Sequence, residues 1–393
     1  MKRFMCIFSA FMLLVGCVKN DPVTPDWRGP KAEIAFECPV AGPKMKSVYE
    51  VADYPADLNF RVWGYFSENQ TPAVDSENHA LKISYIDGAE FANVGDLWGA
   101  NDGNHYYWPT SGYLHFIAHA PSEIPATSVQ VTDAGLQIKG YTVPDAADQD
   151  LMVSQVAYER QNPGEGVGSE ILFDHALSSI SFAVKSGIYV PESDRESEGV
   201  YTDLRVTKIE LFSLKNTGDF DQAMTMDDWT SQGQMTSQER GWNSQDGSAD
   251  YVGYDRDVAG NGGFVLSGEY RPVHDLGAGD SGYALTNLIL MPQDLSSNQN
   301  AILKVTYEMT HTHYADNNGE DELWVPDQTA QIALKDCGVQ EWLRGYRYTY
   351  NITLSRGRIQ CSSTVDVWED TEYDKEYDSM GENMVNDTLN WQN

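Results

Sequence analysis

Apolar and polar residues alternate with a period of two along much of this chain. Ala32, Ile34, Phe36 and Cys38 share one side of a segment whose other side carries Glu33 and Glu37. Leu58, Phe60 and Val62 alternate with Asn59, Arg61 and Trp63, and Leu114, Phe116 and Ala118 with Tyr113, His115 and Ile117. Ile180, Phe182 and Val184 alternate with Ser181, Ala183 and Lys185, and Leu303, Val305, Tyr307 and Met309 with Lys304, Thr306 and Glu308. The clearest case is residues 346–354, where Tyr346, Tyr348, Tyr350, Ile352 and Leu354 face Arg347, Thr349, Asn351 and Thr353. Successive side chains of an extended chain point to opposite faces, so this period predicts strands with one buried side. Aromatic and β-branched residues on that side suit a pleated surface. No long stretch shows a helical period, and only residues 337–345 and 224–231 offer a helical turn or two. Many short strands separated by Gly, Pro, Asn and Asp clusters predict an all-β chain built of β-sandwiches.

Breaks in this pattern divide the chain. Residues 18–30 are polar, with three prolines and Gly29, and read as a tether. A Gly- and Pro-containing run at 161–168 reads as a linker between an N-terminal domain, 31–168, and a C-terminal domain, 169–370. Residues 216–282 are rich in Gly, Asp, Ser and Gln with sparse apolar positions, which predicts a long excursion. Residues 371–393 form an acidic tail that closes with Met384, Val385, Leu389 and Trp391.

The first seventeen residues point to export. A short basic start, Lys2 and Arg3, precedes an apolar run from Phe4 to Val15 that is too short for a permanent span. Residues 1–16 read as a signal peptide, and Gly16-Cys17 resembles a bacterial lipobox, in which Cys17 would be acylated and become the new N-terminus. The formal charge of −33 makes nucleic acid and anionic lipid head groups poor partners. Beyond Cys6 and Cys17 the chain has Cys38, Cys337 and Cys361, an odd set that permits one disulfide at most. Packing as small apolar residues is the simpler expectation for them.

Candidate chemistry is sparse. His311 and His313 share a strand face but read as the end of that strand rather than as metal ligands. The acidic run 316–322 lacks the ligand spacing of a calcium loop. With 59 acidic residues, no carboxylate pair stands out as glycosidic acid and base. Trp63, Trp98, Trp108, Trp242 and Trp324 could stack on sugars, although core packing is the commoner use of tryptophan in strands. No nucleophile elbow, phosphate loop or HExxH motif is present, so neither an enzyme nor a cofactor is expected.

Five segments in order resemble the fimbrillin family, the exported lipoproteins of type V pili. They are residues 59–66 (NFRVWGYF), 106–121 (YYWPTSGYLHFIAHAP), 172–182 (LFDHALSSISF), 288–295 (LILMPQDL), and 342–354 followed by Val365-Asp366-Val367-Trp368. The resemblance spans roughly residues 30–370 and implies two tandem transthyretin-like β-sandwich domains. It implies a fibre subunit serving adhesion, anchored in the outer membrane through lipid on Cys17 and displayed at the cell surface. Its partners would be other subunits of the same kind and a processing protease, with no nucleic acid. In that family the first strand is lost to an Arg-specific protease, and a neighbour's C-terminal segment fills the opened groove by β-strand addition. Here the first strand maps to residues 32–38, with Ile34 and Phe36 lining the groove. The following loop carries Lys44 and Lys46 and no arginine; Arg28 precedes the strand and Arg61 lies in the next. Either a lysine-tolerant protease cuts there or the subunit keeps its strand, as an anchor or accessory subunit would. The donor strand maps to Val385, Leu389 and Trp391. A glycan-binding surface lipoprotein of an uptake system is the rival reading.

The lipobox yields a direct expectation. Cys17→Ser removes the acceptor thiol, so labelled palmitate should enter the wild-type chain and not the variant, which should accumulate as the unprocessed precursor. Equal labelling of both would refute acylation at Cys17.

Overall fold

The computed structural model describes residues 32–37, 39–40, 52–70, 74, 81–132, 135–154, 168–222, 241–259, 264–273, 287–315 and 319–368. The signal peptide, Cys17, the tether, Cys38, Lys44, Lys46, residues 161–167, residues 224–231, Val385, Leu389 and Trp391 lie outside them.

The first stretch of the chain forms β1 (Ala35–Glu37), β2 (Pro39–Val40), β3 (Ala52–Asp53), β4 (Phe60–Ser67), β5 (Ser84–Asn93) and β6 (Trp98–Ala100). There follow β7 (Tyr113–Ala120), β8 (Ser128–Thr132), β9 (Gly135–Thr142), β10 (Met152–Ser154), β11 (Ser169–Glu170) and β12 (Phe173–His175). Then come β13 (Ser178–Ser186), β14 (Val200–Leu214), β15 (Thr217–Asp221), β16 (Trp242–Asp246), β17 (Ala249–Asp255) and β18 (Phe264–Val265). The chain continues through β19 (Arg271–Pro272), β20 (Leu288–Leu290), β21 (Ile302–Ala315), β22 (Gly319–Ala333), β23 (Tyr346–Ser355) and β24 (Arg358–Val367). Two short helices, α1 (Glu192–Glu198) and α2 (Arg256–Ala259), and a 3-10 turn at Leu334–Cys337 complete the described elements. The fold is all-β, as the alternation predicts.

One ten-stranded sheet runs β11-β1-β6-β5-β4-β7-β10-β12-β2-β3. Inside it lies an aromatic core containing Phe36, Phe60, Phe91, Phe116 and Phe173, all nearly or fully buried. A second, larger core lies between two five-stranded sheets. One runs β19-β13-β23-β24 with β20 also on β13; the other runs β17-β14-β21-β22 with β18 also on β14. A four-stranded sheet, β16-β15-β9-β8, adds Leu136, Ile138, Tyr141, Phe220 and Trp242 to this second core. Its strands come from both sides of the 161–168 run.

Strand β23 behaves as its sequence predicts: Tyr348, Tyr350, Ile352 and Leu354 are buried and the residues between them are not. Strands β7 and β13 do not, because both of their faces are covered. On β7, Leu114, Phe116 and Ala118 enter the first core while Ile117 enters the second. His115 and His119 are buried on the same side as Ile117; His115 meets the Ser67 hydroxyl at 2.7 Å, and His119 Nδ1 donates to the Pro121 carbonyl at 2.9 Å. Polar residues here mark a second interior surface rather than solvent.

Within 216–282, where composition predicts an excursion, the described residues include β15 to β19. The apolar residues there are few but well placed: Phe220, Trp242, Tyr251, Tyr254 and Leu266 are all buried. Sparse apolar positions suffice when each is large and faces inward. The helical turn expected at 337–345 lies instead at Leu334–Cys337, where Leu334 and Cys337 are buried three positions apart. Beyond it the chain extends, with Glu341 bridging Asp294 and the Trp342 N–H bonding the Gln293 carbonyl.

Strand β14 shows how the period of two survives an irregularity. Leu204 and Val206 point into the core, and so do Ile209 and Leu211, which a strict alternation would place outside. Thr207 is the extra residue: Val206 pairs with Tyr307 and Lys208 with Thr306, leaving Thr207 bulged. Deleting Thr207 should therefore turn Leu204 and Val206 outward. Losing their burial should cost about 3–6 kcal/mol, by the usual worth of ~1.5–3 kcal/mol per large side chain. Thr207→Ala, which keeps the register, should cost far less, and urea denaturation of the two variants measures the difference.

His119 adds a pH dependence. Burial lowers its pKa to about 4 from the ordinary 6.5, with Arg61 acting in the same direction and the Pro121 bond opposing. The folded state thus holds the ring neutral, and its share of stability is complete above the unfolded pKa. It should be lost as pH falls from 6.5 towards 4, amounting to about 3 kcal/mol. His119→Gln should flatten the decline between pH 6.5 and 5 in urea titrations.

Candidate assembly seam

Strands β1 and β2 are one residue apart in the chain, yet they stand near opposite ends of the ten-stranded order. Consecutive Cα atoms are about 3.8 Å apart, so the two ends of the sheet must meet there. Their parallel partners confirm the closure. Phe36 pairs with Ser169, Glu37 with Glu170 and Val40 with Phe173, all at one constant offset. The Ile171 N–H adds a bond to the Glu37 carbonyl at 2.9 Å. Residues 32–37 and 39–40 thus close the curled sheet along a seam.

The other side of the segment is antiparallel. Ala35 pairs with Gly99 and Phe36 with Trp98 on β6, and Val40 pairs with Ala52 on β3. Ahead of β1, the Ile34 N–H donates to the Tyr106 carbonyl at 2.8 Å and the Trp108 N–H to the Ala32 carbonyl at 2.9 Å. Residues 106–108, the start of the YYWP motif, therefore form part of one lip of the seam. Nearby, Tyr106 donates its hydroxyl to Asp102 Oδ2 at 2.8 Å. Burial, and then that carboxylate, push its pKa up to about 12.

The inward side chains seal the segment. Ile34 is 1% exposed and Phe36 is fully buried. The Phe36 ring meets Phe116, Phe91 and Phe60 edge-on, with centroids 4.9, 5.1 and 6.0 Å away. Outside, Glu33 pairs with His105 Nδ1 at 2.7 Å, an exposed contact of little energetic weight. Sequence alternation finds the inward residues Ile34 and Phe36. It does not find the parallel partners 169–173, which carry too few residues to show a period.

The C-terminal end of the described chain lies beside the same strand set. Trp368 stacks on the His175 ring at 3.9 Å between centroids, and His175 Nδ1 donates to Asp150 Oδ2 at 2.6 Å. His175 ends β12, the strand parallel to β2. His175 is a buried strand residue under Trp368. That both residues fall within motif segments was the available signal.

Among the described residues, the remaining candidates take structural positions. His311 contacts the Thr202 hydroxyl through Nδ1 at 2.8 Å, His313 is exposed, and their strand continues to Ala315. Among the described residues no three potential metal ligands gather. Trp98, Trp108 and Trp242 are buried in the cores and Trp63 is half-buried against His119, leaving Trp324 exposed on β22.

A model of the fimbrillin-like family matches residues 56–368, beginning just after the seam segment. Among solved structures, a fimbrial protein from Bacteroides vulgatus is similar at a TM-score of 0.52 and 15% identity, covering 86% of this chain and 100% of that one. A fimbrial assembly protein from Parabacteroides distasonis aligns over 86% of this chain and 99% of its own, at 9% identity and a TM-score of 0.34. No curated protein matches the sequence. With the family match spanning most of its length, the chain belongs to the fimbrillin-like family.

Proposed function

We propose that this chain is a structural subunit of a surface fimbria, tethered by lipid at Cys17 and joined to its neighbours by β-strand addition. The observation that carries this reading is the seam. A segment at the start of the folded chain fills a slot with hydrogen-bonding strands on both sides and an aromatic floor beneath. Cutting in the following loop, which holds Lys44 and Lys46, would free that segment. The slot would then present unpaired donors and acceptors along both lips. A replacement strand recovers backbone bonds of about 0.5–1.5 kcal/mol each. It also recovers burial of about 1.5–3 kcal/mol for each large apolar side chain. The tail beyond Trp368, with Val385, Leu389 and Trp391, supplies the donor for the next subunit. A shaft or tip subunit would undergo the cut, and an anchor subunit would keep its own strand.

The test is direct. A specific protease site replacing residues 43–46 allows cleavage of the purified chain. Cleaved protein should form oligomers, visible by size-exclusion chromatography and electron microscopy, while uncut protein stays monomeric. Deleting residues 380–393 should stop polymerisation without lowering the unfolding temperature of the uncut monomer. Cleaved protein that stays monomeric at high concentration would overturn strand addition here and move the anchor reading ahead. A monomer that instead retains polysaccharide would favour the glycan-binding lipoprotein.

A further inference from the structure

Two of the cysteines come together where the two five-stranded sheets of the larger core approach each other. Cys337 closes the 3-10 turn that follows β22, and Cys361 lies on β24, opposite Ile352. Strands β22 and β24 each end the path of their own sheet. Three observations fix the approach. The Ser363 hydroxyl, on the same face of β24 as Cys361, donates to the Cys337 carbonyl at 2.9 Å. The 3-10 turn that carries Cys337 packs against β24. Tyr350, opposite Ser363 on the neighbouring strand β23, is fully buried and its hydroxyl accepts from Trp342 Nε1 at 2.8 Å.

We propose that Cys337 and Cys361 form a disulfide that staples the two sheets together at β22 and β24. Both are free thiols in this structure. Cys337 is fully buried and Cys361 half-buried, so the pair is shielded once the sheets have closed. The hydrogen bond to Cys337, and then burial, hold the Cys361 thiol well above its ordinary pKa. The thiolate is the attacking species, so oxidation belongs to the folding chain, before β24 docks. The oxidant is a disulfide carrier. One cysteine thiolate attacks a carrier sulfur, forming a mixed disulfide and releasing the other carrier sulfur as thiolate. The second cysteine thiolate then attacks the protein sulfur of that mixed disulfide, closing the Cys337–Cys361 bond and expelling the remaining carrier sulfur. Two electrons pass to the carrier, which ends as a dithiol, and the two thiol protons pass through water. The third cysteine, Cys38, lies outside the described residues.

The staple would fix β24 seven residues before Trp368, beyond which the tail begins.

The test refolds the denatured chain with a pair of oxidised and reduced glutathione, and separately with dithiothreitol. Each sample is alkylated under denaturing, non-reducing conditions, digested and read by mass spectrometry. A peptide pair joining Cys337 to Cys361 should appear in the glutathione sample and vanish on reduction. The oxidised wild type should also melt several degrees higher than the reduced protein, and Cys361→Ser should melt alike under both conditions. Full alkylation of both cysteines after oxidative refolding, or linkage of either one to Cys38, would overturn the proposal.

Discussion

Closure of the ten-stranded sheet by its own N-terminal segment is the constraint on which the first core depends. An open sheet leaves two edges, each with unpaired amides and carbonyls. Here one extended segment satisfies both by pairing parallel on one side and antiparallel on the other. Its two large inward side chains sit in a floor of phenylalanines, so backbone and side-chain contributions coincide on a few residues. Such a segment contributes to the first core through its backbone and its side chains at once.

The second core is organised differently. One of its two facing sheets is built on the long strands β14, β21 and β22, whose irregularities are placed rather than accidental. Thr207 bulges and restores the inward phase of Ile209 and Leu211. On β22, Pro326 and Asp327 interrupt the pairing with β21, and Asp327 takes a left-handed conformation. A proline and a bulge on the last strand of a sheet discourage further pairing along that edge. The two sheets thus treat their edges in opposite ways, one closing on its own N-terminal segment and the other blunting its margin.

Much of this was legible in the sequence. The alternation of residues 346–354 and 303–309 returns the buried faces of β23 and β21 almost residue by residue, because each has one interior side. The inward pair Ile34 and Phe36 was legible for the same reason. Strands β7 and β13 were legible as strands but not in their burial, since a fully covered strand has no polar face to reveal it. Within 216–282, average composition hides a buried Trp242 or Phe220 that does the packing of several small residues. The parallel partners of the seam were invisible: pairing between residues 36 and 169 leaves no local period to read.

That last pairing has a consequence for how the molecule comes into being. A ribosome delivers the chain from its N-terminus, so residues 32–40 emerge long before residues 169–173 exist. Strands β8 and β9 wait in the same way for β15. Until then the growing polypeptide has a seam with one lip and a sheet with one missing margin. Contacts so far apart in sequence close slowly. The nascent protein therefore passes through a period in which the apolar side of Ile34 and Phe36 and the open margin of β9 still await the strands that will cover them.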